Sequence, residues 1–516
     1  MTEVPSSRRS TAPTRKPRTI VLCFDGTSNQ YNTYNTNVVK LYSCLKKDKT
    51  DEQICYYQSG VGTYFQPGVV SPLFHKFAVV LDLAIAWYLS AHVMDGYKFL
   101  MQNYNTGDKV CMFGFSRGAY TARALAGMLH KVGLLSKDND PQIPFAYSLY
   151  KSQRPENSVL AEGFKRTFCR AVPIEFLGVW DTVASVGVFT TRTLPFVTTN
   201  TTIRTFRHAL SLDEHRAKFR ASYYHRPVPR VEERPSRAQT IVNGVRSRMS
   251  SLNLGVLGRI RRKYADGGFG TLVHDALTVQ ARSAGRPDID GPATDSVFTT
   301  DVKEVWFAGS HTDVGGGAVP DSDPYALANI PLRWMIREAM RAQAGILWEN
   351  SAFDRWGIPK SIADIFQLRG PTADGAVGGG GQVQTSMHDY LVTSPMEEEE
   401  GKKVGPPEKS SANSGINYNL KLGDAERDAR DAAQEVSDQL KVRRLWWLLE
   451  CIPTKYSWQS SVTSQWVREW SLHLGQGRGV PDNPLFHESV KMRMENEDVP
   501  YTPRALYKRG TETYVV

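Results

Sequence analysis

The sequence lacks an apolar N-terminal stretch that could serve as a signal peptide: MTEVPSSRRSTAPTRKPR is rich in Ser, Thr, Pro and Arg. Residues 1–17 read as a disordered basic arm, and Pro5, Pro13 and Pro17 work against the amphipathic helix of a mitochondrial presequence. Cysteine is scarce. The six present show no paired spacing, and Cys23 and Cys111 lie inside apolar runs, which argues against a disulfide framework and for a reducing, cytoplasmic compartment. No long apolar run is free of polar breaks. The best membrane candidate, Phe77 to Met94, contains Asp82 and His92, and its apolar residues recur at Phe77, Leu81, Ile85, Tyr88 and Leu89, so it reads as a buried helix rather than a span. Internal repeats are absent. Neither charge sign dominates: 63 basic against 53 acidic residues leaves +10, a modest bias toward anionic partners such as lipid headgroups. With 41% hydrophobic and 22% charged residues, the chain can bury a sizeable core.

Three segments have the continuous apolar, β-branched character of parallel strands buried on both faces, and each ends in small, reactive residues: TIVLCFDGTSN (19–29), DKVCMFGFSRG (108–118) and IEFLGVWDTVASVG (174–187). EVWFAGSHTDVGGG (304–317) has the same form. Helical stretches at 37–47, 77–103 and after Gly118 alternate with them. The pattern is α/β, a doubly wound, mostly parallel sheet with ligands outside the carboxyl ends of its strands. The expected organisation is a catalytic unit over 18–369, interrupted by a helical or basic insertion at 226–301, then a disordered linker at 370–415 with GGGG and EEEE runs, and a C-terminal extension over 416–516 that packs on the catalytic unit. Taken as lying between the Asp181 and His311 strands, the insertion is expected to have both ends at the site mouth and to act as a mobile cover.

Gly114 to Gly118, GFSRG, fits a G-x-S-x-G elbow with a strand before it and a helix after it. A capping serine would not need glycine on both sides, whereas the sharp turn of a nucleophile elbow does, at Gly114 and Gly118. Ser116 would sit at a helix start, where free N–H groups favour a developing oxyanion. A serine needs a base, and the base an orienting carboxylate. His311 is the histidine that directly follows an apolar strand and precedes a glycine-rich loop, and Asp181 holds the same position after LGVW. The order Ser116, Asp181, His311 is that of α/β-hydrolases. FDGTSN could supply an oxyanion N–H from Gly26 or Thr27 beside that of Arg117, with Asp25 holding the loop. Haloacid-dehalogenase phosphatases place an aspartate where Cys23 stands here, which argues against that chemistry. Asp25, Asp181 and Asp313 remain a rival, metal-dependent set suited to magnesium or calcium, with Asp25 and Asp313 otherwise supporting residues.

FDGTSN, QSGVGT (58–63), GDKVCMFGFSRGAYTARALAGML, GVWDTVASVG, RHALSLDEHRAKF, EVWFAGSHTDVGGG and IPLRWMIREA, in this order, resemble the α/β-hydrolase family of type VI secretion phospholipase effectors, long known only as a domain of unknown function. The resemblance covers about 17–345. LHLGQGRGVP, HESVKMRM and YTPRAL are similar to its eukaryotic, mainly fungal, branch. It implies a serine esterase or phospholipase with Ser116 as nucleophile and His311 in an H-x-D-V-G-G motif.

The function expected is hydrolysis of carboxyl esters, acyl lipids or phospholipids, without metal or other cofactor, through Ser116, His311 and Asp181. Arg117 either faces an anionic headgroup or is a solvated helix-start residue. A non-catalytic lipid-binding or interaction module is the alternative, drawing on the basic arm, the basic insertion and the Arg443–Pro453 stretch with Trp446 and Trp447, the last of which reads more readily as a core-packed helix end. Peripheral contact with anionic membrane fits the charge. Nucleic acid is not expected, because the basic insertion lacks interleaved aromatics. Protein partners are not legible.

Overall fold

The computed structural model describes residues 16–26, 29–60, 74–183, 194–197, 200–224, 299–358, 424–443, 446–451, 454–459 and 466–516. The bulk of the N-terminal arm, Thr27, the 226–301 insertion up to residue 298 and the 370–415 linker lie outside them.

Among the described residues, eight strands form one sheet: β1 (Thr19–Phe24), β2 (Gln53–Gln58), β3 (Lys109–Phe115), β4 (Ile174–Trp180), β5 (Ile203–Ser211), β6 (Asp301–Phe307), β7 (Leu485–His487) and β8 (Thr513–Val515). Their order is β8-β7-β6-β5-β4-β3-β1-β2, and every pairing is parallel. The chain winds outward from β1 to β2, then back across to β3 and onward, so the sequence direction reverses between β1 and β3. Ligand crevices form outside the carboxyl ends of strands at such a reversal.

The apolar runs follow from burial on both faces. In β1, Ile20, Leu22 and Phe24 enter one core while Val21 and Cys23 enter the other. In β3, Val110 and Met112 divide from Cys111, Phe113 and Phe115 in the same way. One face is covered by α2 (Phe74–Asn103), α3 (Ser116–Val132), α4 (Ile143–Lys151) and α5 (Pro155–Phe168), and the other by α1 (Asn37–Ser43) and α7 (Asn329–Arg341), with the short α6 (His311–Gly315) at the strand ends. Among the described residues, no helix is long and apolar enough to cross a membrane.

β7 and β8 extend the sheet from the C-terminal segment, and Phe486 joins Leu210 and Trp306 in a third apolar cluster. The segment is fastened further by α8 (Asp424–Ala432), whose Asp431 accepts from the buried Arg333 of α7 at 2.7 Å.

The insertion is rooted differently from the sequence expectation. β5 intervenes between the Asp181 and His311 strands, and after it the chain runs back along the sheet. Tyr224 Oη then donates to Asn200 O at 3.0 Å, and Thr300 Oγ1 donates to the same carbonyl at 3.2 Å. Thr300, immediately before β6, therefore lies with Asn200, three residues before β5, at the end of the strands opposite Ser116, and the Tyr224 side chain reaches the same place. The expected attachment at the site mouth is corrected accordingly.

Close approach between α3 and β1 depends on Gly118, where an added Cβ would stand 2.2 Å from Phe24 O and 2.4 Å from Asp25 O. Backbone cannot yield as a flexible side chain can. Gly118→Ala is expected to cost about 3 kcal/mol. Gly163, exposed within α5 with nothing within 4 Å of its added Cβ, should gain about 1 kcal/mol as alanine. Opposite shifts in thermal unfolding of the two variants check this; equal shifts would refute the packing argument.

Candidate active site

The carboxyl ends of β1, β3, β4, β5 and β6 lie side by side. They deliver Asp25, Ser116, Asp181, the 211–219 loop and His311 to one place. At the β3–α3 elbow, Ser116 adopts φ 58°, a left-handed conformation that costs a non-glycine residue energy and that clusters at functional sites. Added Cβ atoms explain the flanking glycines: at Gly114 one would lie 2.6 Å from Gly118 O and 2.7 Å from Ala119 Cα. Asp181 is also left-handed, at φ 40°.

His311 Nε2 lies 2.8 Å from Ser116 Oγ, and its Nδ1 lies 2.5 Å from Asp181 Oδ2. All three residues are buried. The imidazole is gripped between Phe115, at 4.6 Å between ring centroids, and Phe219, edge-on at 4.9 Å. Gly315 lets α6 pass over the Phe115 ring, since an added Cβ there would be 1.8 Å from Cε2.

Asp313 forms a capping box with Ser310. Its Oδ2 accepts from Ser310 N at 2.8 Å, Ser310 Oγ at 3.0 Å and Ser437 N at 2.9 Å. It thus orients the turn bearing His311. Burial pushes its carboxyl up to about 6 despite these donors. Asp25 plays a similar part under the first loop, accepting from Gly26 N at 2.7 Å, Thr36 Oγ1 at 2.8 Å and Tyr57 Oη at 2.7 Å, and burial raises its pKa as well. Asp25, Asp181 and Asp313 each accept from their own, separate protein donors. Among the described residues no group of three or more His, Cys, Asp or Glu is placed to hold a metal ion.

Gly26 abuts Ser116, an added Cβ lying 3.3 Å from Ser116 Cβ, but its N–H is given to Asp25. Thr27 falls outside the described residues. The Arg117 side chain has a buried Nε without a hydrogen-bond partner, and burial lowers its pKa with no carboxylate opposing it.

Burial opposes charge on both Asp181 and His311. It would raise Asp181, yet the Arg478 guanidinium and the His311 hydrogen bond outweigh it and hold Asp181 well below the usual carboxylate range. For His311 burial wins: its pKa is lowered although Asp181 and Glu214 both favour the imidazolium. A neutral imidazole facing a serine hydroxyl is arranged to accept a proton.

Sequence reasoning did not single out Arg478, Glu214 or Phe219, whereas Trp446, read there as part of a core-packed helix end, does turn inward. Glu214 Oε2 accepts from His311 N at 3.3 Å and from Arg216 Nη2 at 2.7 Å, while Phe219 packs edge-on against Trp446 with ring centroids 5.6 Å apart. The RHALSLDEHRAKF motif contained Glu214 and Phe219, and Arg478 lies in the LHLGQGRGVP motif, between Gly477 and Gly479.

The chain is 30% identical to an uncharacterized protein of Saccharomyces cerevisiae, YEL023C, over 95% of this chain and 80% of that protein. Among solved structures, an uncharacterized protein from Pseudomonas aeruginosa shares 18% identity at a TM-score of 0.33, covering 68% of this chain and 50% of that one. The Tle1 effector bound to the VgrG spike of the type 6 secretion system shares 22% identity at a TM-score of 0.23, covering 40% of this chain and 48% of that one. The chain thus spans about half the length of these two solved proteins. A family model described as "T6SS, Phospholipase effector Tle1-like, catalytic domain" matches residues 18–338, a region that includes Ser116, Asp181 and His311. By that match the chain belongs to the Tle1-like phospholipase effector catalytic-domain family.

Proposed function

We propose that the protein is a serine hydrolase that cleaves carboxyl esters of acyl lipids, with phospholipids as the substrate class. The observation that carries this reading is the unbroken hydrogen-bond relay from Ser116 Oγ through both ring nitrogens of His311 to Asp181. His311 takes the Ser116 proton at Nε2 as Oγ attacks the ester carbonyl. The tetrahedral intermediate collapses to an acyl-enzyme as His311 returns the proton to the leaving alcohol. Water, deprotonated by the same nitrogen, then releases the fatty acid. The Arg117 N–H at the start of α3 is the first oxyanion donor; Gly26 contributes the second only by leaving Asp25.

The family supplies the lipid. The unpaired Arg117 Nε agrees with it, because an anionic headgroup would provide the counter-charge that the described residues do not. The intact relay also favours an enzyme over a binding module that has only kept a hydrolase shell.

A fluorophosphonate probe reports an activated serine without knowledge of the acyl chain. Wild-type protein should be labelled at Ser116. Because the reactive form needs neutral His311, whose pKa is lowered, the labelling rate should hold on acidification and fall only below the ordinary histidine value of 6.5. Absence of labelling would end the serine-hydrolase reading, and an inflection above 6.5 would refute the account of His311.

A further inference from the structure

We infer that Arg478, from the C-terminal segment, is a positioning residue of the catalytic centre: it clamps both oxygens of Asp181 so that the carboxylate meets His311 in one fixed orientation. This rests on the serine-hydrolase reading and extends it to a part of the chain well beyond residue 338, where the family match ends.

The geometry is that of a fork on a carboxylate. Arg478 Nη1 donates to Asp181 Oδ1 at 2.5 Å and Nη2 donates to Oδ2 at 2.9 Å. Nη1 also reaches Ser211 O at 3.2 Å, Nε donates to Phe219 O at 3.1 Å, and Nη2 donates to the same carbonyl. The planar guanidinium has five N–H donors, and five contacts engage its three nitrogens. Its side chain is 5% exposed and that of Asp181 is fully buried.

Asp181 consequently has no freedom to rotate. Ser211 N donates to Oδ1 at 3.0 Å, which leaves Oδ2 to face His311 Nδ1. Phe219, whose carbonyl Arg478 holds, packs its ring on the same imidazole. One guanidinium thus sets both the acid and a wall of the base. The backbone of Arg478 is pinned in turn: its carbonyl accepts from Leu506 N at 2.7 Å, and Gly477 permits this because an added Cβ would be 2.0 Å from Arg504 O.

The rest of the segment holds the same loop. Glu450 accepts from Ala217 N at 2.6 Å, Asp438 pairs with His215 at 2.8 Å, and Tyr501 Oη and Arg504 N both donate to Asp213. The charges facing His311 are therefore Asp181 from the end of β4, Glu214 and Arg216 from the 211–219 loop, and Arg478 acting through Asp181. The guanidinium shares the Asp181 charge with the imidazole, so that the aspartate orients His311 without holding a proton on it. Lysine cannot reproduce this, since it brings the charge without the fork.

The test uses the full chain with Arg478→Gln and Arg478→Lys. Three measurements are made: turnover of a short soluble ester normalised to folded protein, its pH profile, and the titration of His311 by NMR with labelled histidine. Arg478→Gln should lose about a hundredfold in kcat with little change in KM, as expected of a misplaced relay. Its acid limb and the His311 titration should both move to higher pH, because Asp181 is then left to the imidazole alone. Arg478→Lys should keep the titration near wild type yet still lose rate.

Wild-type rate and titration in Arg478→Gln would overturn the proposal. Loss of thermal stability with unmoved titration and unmoved kcat per folded molecule would overturn it too, leaving a structural arginine. Should Arg478→Gln not fold, a fully active Arg478→Lys would overturn the fork. The NMR titration needs no turnover, so failure of the wild type to hydrolyse or label would sink the serine-hydrolase reading separately from the clamp.

Discussion

Ser116→Ala should lower ester hydrolysis on the order of a hundred-thousandfold or more while the protein folds as before. The change removes one hydroxyl whose structural part is a single hydrogen bond to His311 Nε2 at 2.8 Å, and it leaves the elbow backbone and both glycines in place. A cap or a turn residue would behave otherwise, with stability falling and activity following it. Backbone conformation offers a second variant that separates the two. Because residue 116 sits at φ 58°, Ser116→Gly removes the Cβ that makes this conformation costly and should raise stability by about 1 kcal/mol while activity vanishes as in the alanine variant. A more stable yet inactive Ser116→Gly would mean that the strain is held for the sake of the nucleophile. Measurable turnover of more than a few per cent in either variant would rule out Ser116 as the attacking group.

The strands bearing Ser116, Asp181 and His311 were legible because burial on both faces of a parallel sheet leaves a continuous apolar run that ends abruptly in reactive residues. β5 was not. Its sequence, IRTFRHALS, is interrupted by Arg207 and His208, which are buried beside partners far along the chain: Arg207 meets Glu338 at 2.5 Å and His208 meets Glu304 at 2.8 Å. Nothing local marks those charges as satisfied. Missing that strand and the return run after it moved the insertion to the wrong end of the strands. β7 and β8, of three residues each, are too short for any periodicity to show. Arg478 is separated from Asp181 by 297 positions and lies in a glycine-rich stretch, so only the fold brings the two together. Asp25 and Asp313, which sequence reasoning held open as metal ligands or loop supports, sit among backbone and hydroxyl donors at two different turns.

His311→Ala should cost about as much activity as Ser116→Ala, and the double variant should cost little more than either. The reason is that the relay acts as a unit. Without the imidazole the Ser116 hydroxyl keeps its proton and is a poor nucleophile; without the hydroxyl the imidazole has nothing to activate. What remains in each case is binding and oxyanion stabilisation, which neither substitution touches. The His311 site has a complication that the comparison must meet. Removing a ring packed between Phe115 and Phe219 leaves a cavity, and Asp181 loses one of its partners, so His311→Ala should also be destabilised by about 3 kcal/mol, the usual cost of truncating a large buried side chain. Rates must therefore be compared per folded molecule. His311→Gln, which fills much of the space without a titrating nitrogen, should recover stability and not activity. Multiplying losses in the double variant, each single change contributing its own full factor, would show that Ser116 and His311 act independently and would break the relay into two unrelated hydrogen-bonding residues.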